Sequence, residues 1–206
     1  MIRLHPSFLL LSLSTSNDAE MLVKKKVFIV DDFYDDPIGV RNFALSQDFV
    51  EDISYHKGKR TLEQYESPGM RQAFEAILGF EITKWTETYG ACAKFQYCTA
   101  EDQLVYHCDS QRWAGVLFLT PNAPYSAGTS LFSHTQSGLR NQNDFNGYDV
   151  FGDIGYYDKS KFDLVDVVGN VFNRLVLFDA KSIHAASEYF GTTKENGRLF
   201  QVFFFD

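Results

Sequence analysis

The chain has 206 residues, 45% of them hydrophobic and 16% aromatic, enough for one domain with a sizeable core and too apolar for a disordered chain. Its net charge is −8, and its one basic run, Lys24-Lys25-Lys26, is short and soon followed by Asp31-Asp32 and Asp35-Asp36. Nothing in it forms the basic stripe that a phosphate backbone needs, which argues against nucleic acid as a partner.

Phe8 to Leu13 make a short apolar run after Arg3, without a small-x-small cleavage pattern and far too short to span a bilayer. Residues 1–20 therefore read as a leader, loosely docked or not the native start, and 21–206 as a single domain with no membrane partner. The cysteines (Cys92, Cys98, Cys108) are odd in number and form no CxxC pair. That argues against a disulfide framework and for a reducing, cytoplasmic interior, with secretion as the alternative.

Val27-Phe28-Ile29-Val30 reads as a buried strand. Asp36 follows as a helix N-cap with Pro37 at the first helical position, and Val40, Phe43, Ala44 and Gln47 fall at i, i+3, i+4 and i+7. After a polar stretch from Glu51 to Glu66, a second helix begins near Ser67-Pro68. Ala73, Phe74, Ile77 and Leu78 make its apolar face, and Gly79 stops it.

From about Ala91 the pattern changes to successive strands. They are expected at Lys94 to Tyr97, Gln103 to Asp109, Ala114 to Thr120, Gly128 to Phe132, Arg174 to Phe178 and Leu199 to Phe205. Ser137 to Asp163, rich in Gly, Asn, Asp and Tyr, is a long loop of the kind that serves as a lid or binding segment. The fold class is thus mainly β with flanking helices (α+β). Residues 21–90 form a mixed support, and residues 91–206 a double-stranded β-helix or jelly-roll, cupin-like core.

Within the second expected strand, His107 and Asp109 point to one face and Cys108 to the other, because side chains alternate across a strand. An imidazole and a carboxylate at i and i+2 can grip one ion, although a His-x-Asp triplet alone is a weak signal. It gains weight from His184, just beyond the apolar strand Leu175 to Phe178, and from Arg198, which opens the last strand. Two histidines and one carboxylate on one side of an ion form the facial triad of non-haem Fe(II) sites and leave adjacent positions open. A 2-oxo acid can fill two of these and dioxygen the third. A guanidinium suits the acid's far carboxylate because its planar fork stays charged when partly buried.

His107-x-Asp109, His184 and Arg198, set among these strands, resemble the iron(II)/2-oxoglutarate-dependent dioxygenase superfamily, and within it the prolyl-hydroxylase-like branch. The likeness covers about residues 91–206 and, more loosely, residues 27–47. Ala114 to Leu119 resembles the strand after the metal-binding triplet, Gly128-Thr129 the Gly-Thr strand that follows, and Gly197-Arg198-Leu199 the co-substrate strand.

The resemblance implies Fe(II) held by His107, Asp109 and His184, and 2-oxoglutarate anchored by Arg198 and hydrogen-bonded by Tyr97. Dioxygen would be the second co-substrate. The reaction implied is hydroxylation of a peptidyl or small-molecule substrate, with release of succinate and CO2. The chain departs from prolyl hydroxylases in carrying Arg198 where they often have Lys, Ala127-Gly128 where they have Gly-Gly, and the 137–163 insertion. The retained Asp109 argues against a halogenase.

Blander readings stand beside these. Arg198 could pair with a surface carboxylate such as Glu195, and Arg174 or Arg140 could be the anchor instead. Tyr97 and Cys108 could be core. His134 could support the metal site or touch substrate, or be a partly exposed polar residue at a strand end; His56 reads as loop surface, His5 lies in the leader, and Trp113, Tyr148, Tyr156 and Tyr157 read as a substrate mouth or as packing under a loop. A metal-binding cupin-like module without 2-oxoglutarate oxygenase activity would keep the three ligands and have no need of Arg198.

Overall fold

The computed structural model describes residues 27–51 and 57–206. The leader, the Lys24–Lys26 run, His5 and His56 lie outside the described residues.

Among the described residues, ten strands and two α-helices follow one another as β1 (Val27–Val30), α1 (Pro37–Leu45), β2 (Phe49–Glu51), β3 (Lys59–Thr61), α2 (Met70–Leu78), β4 (Lys94–Cys98), β5 (Trp113–Phe118), β6 (Thr129–His134), β7 (Phe162–Val168), β8 (Leu175–Asp179), β9 (His184–Ala186) and β10 (Arg198–Phe205). They form a seven-stranded sheet in the order β1-β8-β5-β10-β4-β3-β2 and a three-stranded sheet in the order β7-β6-β9. Every pairing is antiparallel.

Local chemistry sets the start of α1 and the end of α2, whereas α2 begins at Met70, past the expected Ser67-Pro68, with Gly69 before it and no side-chain cap. The Asp36 carboxylate accepts from the Gly39 N–H at 2.9 Å, with Pro37 in the first turn; such a cap is worth about 1 kcal/mol. Gly79 closes α2 at φ 77°, a left-handed conformation that glycine adopts without Cβ strain.

Alternation along the strands gives the large sheet two different faces. Leu199, Phe203 and Phe205 of β10, Leu117 of β5, and Leu175 and Leu177 of β8 pack with Val40 and Ala44 of α1 and with Met70, Phe74 and Leu78 of α2. Phe74 is the hub of this layer, its ring 4.8 Å from Phe203 and 5.2 Å from Trp85. The other face carries Ala114, Phe118, Val176, Phe178, Phe200 and Val202. The small sheet lies across that side, and a cavity opens between the two.

The structure corrects several expectations. Residues 103–109 are extended but form no strand, because their only ladder partner is a single bridge from His107 to His184. The short strands β2, β3, β7 and β9 carry too few alternating apolar residues to be read from sequence: β3 is Lys-Arg-Thr and β7 exposes Leu164 and Val167. The long loop ends sooner than expected, at Phe162, and it folds through three 3-10 turns at 142–144, 155–157 and 159–161. Phe43, placed on the buried face of α1, is 39% exposed and packs its ring edgewise on Tyr65.

Candidate metal centre

His107, Asp109 and His184 come together although 75 residues separate the last two. Reciprocal backbone hydrogen bonds, His107 N to His184 O at 3.0 Å and His184 N to His107 O at 2.9 Å, lock the two segments side by side. Asp109 N donates to Ala180 O at 2.8 Å and extends the clamp. The alternation expected of a strand survives without the strand itself: His107 and Asp109 share one side, and Cys108 packs against the cluster around Tyr106 and Phe132.

The ligand atoms of the three side chains all lie within 4.8 Å of one another. Nε2 of His184 is 3.2 Å from Oδ2 of Asp109, and Nε2 of His107 is 3.6 Å from Oδ1. Neighbouring donors at right angles around an ion bound at about 2.1 Å are separated by about 3 Å, so little movement is needed to close on one. Each histidine also bonds the carbonyl two residues back, His107 Nδ1 to Val105 O at 3.0 Å and His184 Nδ1 to Ser182 O at 2.8 Å. A carbonyl only accepts, so Nδ1 carries the proton in both rings and both Nε2 lone pairs face Asp109. This is the outer-shell arrangement that fixes the tautomer of metal-binding histidines.

Charge state agrees with this geometry. Burial and the neighbouring His184 push the His107 pKa down, favouring the neutral imidazole that a metal requires. Burial alone would raise the Asp109 carboxyl, but the neighbouring His184, His107 and Arg60 outweigh it and hold the group below its usual value. The Phe178 ring, its centre 4.7 Å from that of His184, backs the site with apolar surface.

The three candidate ligands sit in the wall of a cavity of about 650 Å³, which Arg198 also lines. Arg198 is 3% exposed and opens β10 as expected. Its Nε donates to Ala127 O at 3.1 Å, and Nη2 donates to Gly128 O at 3.1 Å and to Thr129 Oγ1 at 3.4 Å. Its guanidinium carbon lies 4.4 Å from the ring centre of Phe200 and 5.2 Å from that of Phe118. No carboxylate among the described residues pairs with it. Burial pushes its pKa down, so the site tolerates an uncompensated cation that an incoming anion would relieve. Gly128 permits this: a Cβ there would stand 1.8 Å from Val168 O, and its own carbonyl orients Arg198.

The rival anchors are engaged elsewhere. Arg174 forms a two-pronged pair with Asp31 at 2.6 and 2.9 Å, and Arg140 is exposed on the loop. Glu195, suggested as a partner of Arg198, has its backbone carbonyl bonded by Arg41.

Tyr97 is not brought to the site. It lies on the helix-facing side of β4, its ring 5.1 Å from Phe49, while Gln96 lines the cavity. His134 is buried away from the ligands, with Nδ1 2.8 Å from Ser137 Oγ. Trp113 packs on Phe28 and Phe80. Of the suggested mouth residues, Tyr156 and Tyr157 line the cavity, whereas Tyr148 rests on His134. Sequence reasoning missed Tyr189, Arg60 and Gln96, all of which line the cavity. Only Tyr189, five residues after His184 and on the way to Arg198, had a positional hint.

The donor set fits a divalent ion that prefers nitrogen and oxygen ligands and leaves coordination positions open toward the cavity. Among the described residues, these three are the only such group of His, Cys, Asp and Glu. No described helix is long and apolar enough to cross a membrane.

No protein-family model and no curated protein matches the sequence. Solved structures do. HygX from Streptomyces hygroscopicus, with nickel and 2-oxoglutarate bound, is similar over 92% of this chain and 85% of its own, at 10% identity and a TM-score of 0.54. The non-haem α-ketoglutarate-dependent epimerase SnoN of nogalamycin biosynthesis matches 91% of this chain and 82% of its own, at 15% identity and 0.53. A prolyl hydroxylase from Trichoplax adhaerens, in complex with a hypoxia-inducible-factor peptide fragment, covers 91% and 87%, at 13% identity and 0.50. With sequences this far apart the likeness lies in the architecture: the chain has the jelly-roll fold of the iron(II)/2-oxoglutarate-dependent oxygenases.

Proposed function

We propose that this chain is an Fe(II)- and 2-oxoglutarate-dependent dioxygenase that hydroxylates a peptidyl or small-molecule substrate and releases succinate and CO2. One observation carries the reading: a two-histidine, one-aspartate cluster shares a cavity with a deeply buried arginine that no described carboxylate neutralises. A metal-binding jelly roll with some other activity has no use for that arginine. A dicarboxylic co-substrate needs both features at once.

In this reading His107, Asp109 and His184 hold the iron, and the bound metal supplies dioxygen activation coupled to oxidative decarboxylation of the 2-oxo acid. The chain's own contributions are binding, orientation and exclusion of water. The carbonyls of Val105 and Ser182 keep the imidazoles turned toward the ion. Arg198, fixed by Ala127 and Gly128, draws the far carboxylate to its own side of the cavity. Phe178, Phe200 and Val202 line the walls between them with apolar surface. Tyr156 and Tyr157, 42% and 45% exposed, stand at the mouth where a substrate would enter. The hydrogen bond from Tyr106 N to Tyr156 O, 2.8 Å, ties that turn to the residue preceding His107. The relative bound to a peptide fragment and those named for nogalamycin biosynthesis and 2-oxoglutarate binding support an oxygenase and leave peptidyl and small-molecule substrates as the two classes.

The test is anaerobic addition of Fe(II) followed by titration with 2-oxoglutarate. A visible metal-to-ligand band should appear in the parent protein and be lost in His107→Ala. Succinate should then form when air is admitted. Stoichiometric metal binding without any response to 2-oxoglutarate would favour the cupin-like alternative.

A further inference from the structure

We propose that the substrate is a small organic anion whose carboxylate or phosphate group is held by Arg60 and Lys57, across the cavity from the metal ligands. The inference rests on the oxygenase reading above and names the substrate class that reading leaves open.

Charge points to it first. The chain carries a net −8, yet among the described residues that line the cavity Asp109 is the only acid, against Lys57, Arg60 and Arg198. A divalent ion, Asp109, Arg198 and a doubly charged 2-oxo acid sum to zero, so the co-substrate site is balanced by itself. Lys57 and Arg60 take no part in that balance. They bring two further positive charges to the rest of the cavity, where they favour an anion.

Position points the same way. Arg198 opens β10 and lies over Phe200, whereas the guanidinium carbon of Arg60 is 5.9 Å from the ring centre of Phe204, four residues further along that strand. The two guanidiniums therefore serve different stretches of the cavity. Phe204, Ala114 and Phe178 stand in one row across β10, β5 and β8, and Phe178 backs His184. Neighbouring strands are about 4.8 Å apart, so the ends of this row are separated by about 10 Å. Between two phenyl rings Ala114 supplies only a methyl group, which leaves a gap in front of the ligands. Arg60 stands on the far side of that gap, near enough for its charge to act on Asp109.

Gln96, 5% exposed, holds both basic residues in place. Its Oε1 accepts from Arg60 Nε at 2.9 Å and from Nη2 at 2.6 Å, and its Nε2 donates to Lys57 O at 2.6 Å. Size and access favour a small molecule over a peptide. The cavity, about 650 Å³, falls in the range that encloses small ligands. At its mouth the Lys57 ammonium lies 5.0 Å from the ring centre of Tyr157, joining the segment before β3 to the 155–157 turn. A small anion can enter beside this contact, whereas a peptide running through the mouth would have to break it.

The experiment uses protein loaded with Zn(II) and 2-oxoglutarate, which does not turn over, and isothermal titration calorimetry. The probes are 3-phenylpropionate, benzyl phosphate, the neutral 3-phenylpropanamide and the blocked peptide acetyl-Ala-Glu-Ala-amide. At least one small anion should bind ten times more tightly than the neutral amide, and the better of the two distinguishes carboxylate from phosphate. Arg60→Met should erase that preference while 2-oxoglutarate affinity stays within twofold, which also shows that the variant is folded. Lys57→Met keeps the backbone carbonyl that Gln96 uses and carries the test if Arg60→Met does not fold; it should weaken the same anion at least threefold. The assignment is overturned, with the oxygenase reading intact, if neither small anion binds at millimolar concentration or if discrimination against the amide is less than tenfold. It is equally overturned if the preference survives Arg60→Met, or Lys57→Met in its place, or if the peptide binds more tightly than both small anions. If the parent protein ignores 2-oxoglutarate, the oxygenase reading falls first and this assignment goes with it.

Discussion

Replacing Arg198 with methionine separates what the guanidinium does for the fold from what it does for a dicarboxylate. In the free protein the side chain is buried between Phe118 and Phe200 and holds the carbonyls of Ala127 and Gly128. Arg198→Met leaves those two carbonyls without their donor, at about 1 kcal/mol each. It also removes a buried charge that lacks an anionic partner, and replacing such charges with apolar side chains is neutral or stabilising by about 1–4 kcal/mol. The two effects oppose each other and are of similar size. The variant should therefore melt within a few degrees of the parent, since 1 kcal/mol corresponds to about 2–4 °C at this chain length.

The ligand response should behave quite differently. At a 2-oxoglutarate concentration 100 times Kd, the metal-loaded parent gains about 2.7 kcal/mol, which is about 5–10 °C. Loss of a charge-assisted hydrogen bond worth about 1.5–3 kcal/mol raises Kd roughly 10- to 150-fold. At the same concentration the gain then falls to about 0.3–1.4 kcal/mol. Thermal denaturation of Zn(II)-loaded protein with and without 2-oxoglutarate measures both quantities. A methionine variant that keeps the full ligand-induced shift would refute the reasoning, because the cation would then have no part in binding the acid.

Three further outcomes are expected. Gly128→Ala drives a Cβ into Val168 O and displaces the carbonyl that orients Arg198. It should lose about 1–3 kcal/mol or more in urea denaturation and weaken 2-oxoglutarate binding in the same protein. His107→Ala should lower Zn(II) affinity by more than about 100-fold in a chelator competition, while melting like the parent when both are metal-free, since this side chain is 35% exposed at the cavity wall. Asp206 is raised by burial but lowered further by hydrogen bonds from Lys84, Tyr89 and the Arg112 N–H, so its folded pKa is depressed. Its contribution is therefore present above the unfolded value near 3.9 and lost as pH falls through the lower folded value. Asp206→Asn should reduce stability at pH 7 by roughly 1–2 kcal/mol, and the gap from the parent should narrow in urea titrations below about pH 4.

How far the site was legible in the sequence follows from parity. His107 and Asp109 were readable as a pair because i and i+2 share a face in any extended segment, whether or not it belongs to a sheet. That is why losing the expected strand at 103–109 left the ligand geometry intact. Arg198 was readable because a charge opening an otherwise apolar strand must point somewhere that can hold it. The short strands β2 and β3 were not readable, since Lys59-Arg60-Thr61 is shaped by its pairing with β4 and not by its own pattern; with them went Arg60 as a cavity residue. Tyr97 failed on parity. Residues directly opposite in an antiparallel pair point to the same side of the sheet, and Arg198 stands opposite Cys98 while Leu199 stands opposite Tyr97. Once that register is known, Gln96 and Cys98 fall on the face of Arg198, Phe200 and Val202, and Tyr97 falls with Leu199 in the helix-covered core. A slip of one residue would have exchanged the two sets. The tyrosine that does lie near Arg198, Tyr189, comes from the stretch between His184 and Arg198, outside the named strands. Its course across the face of β10 is set by tertiary packing, and there Tyr189 meets the guanidinium.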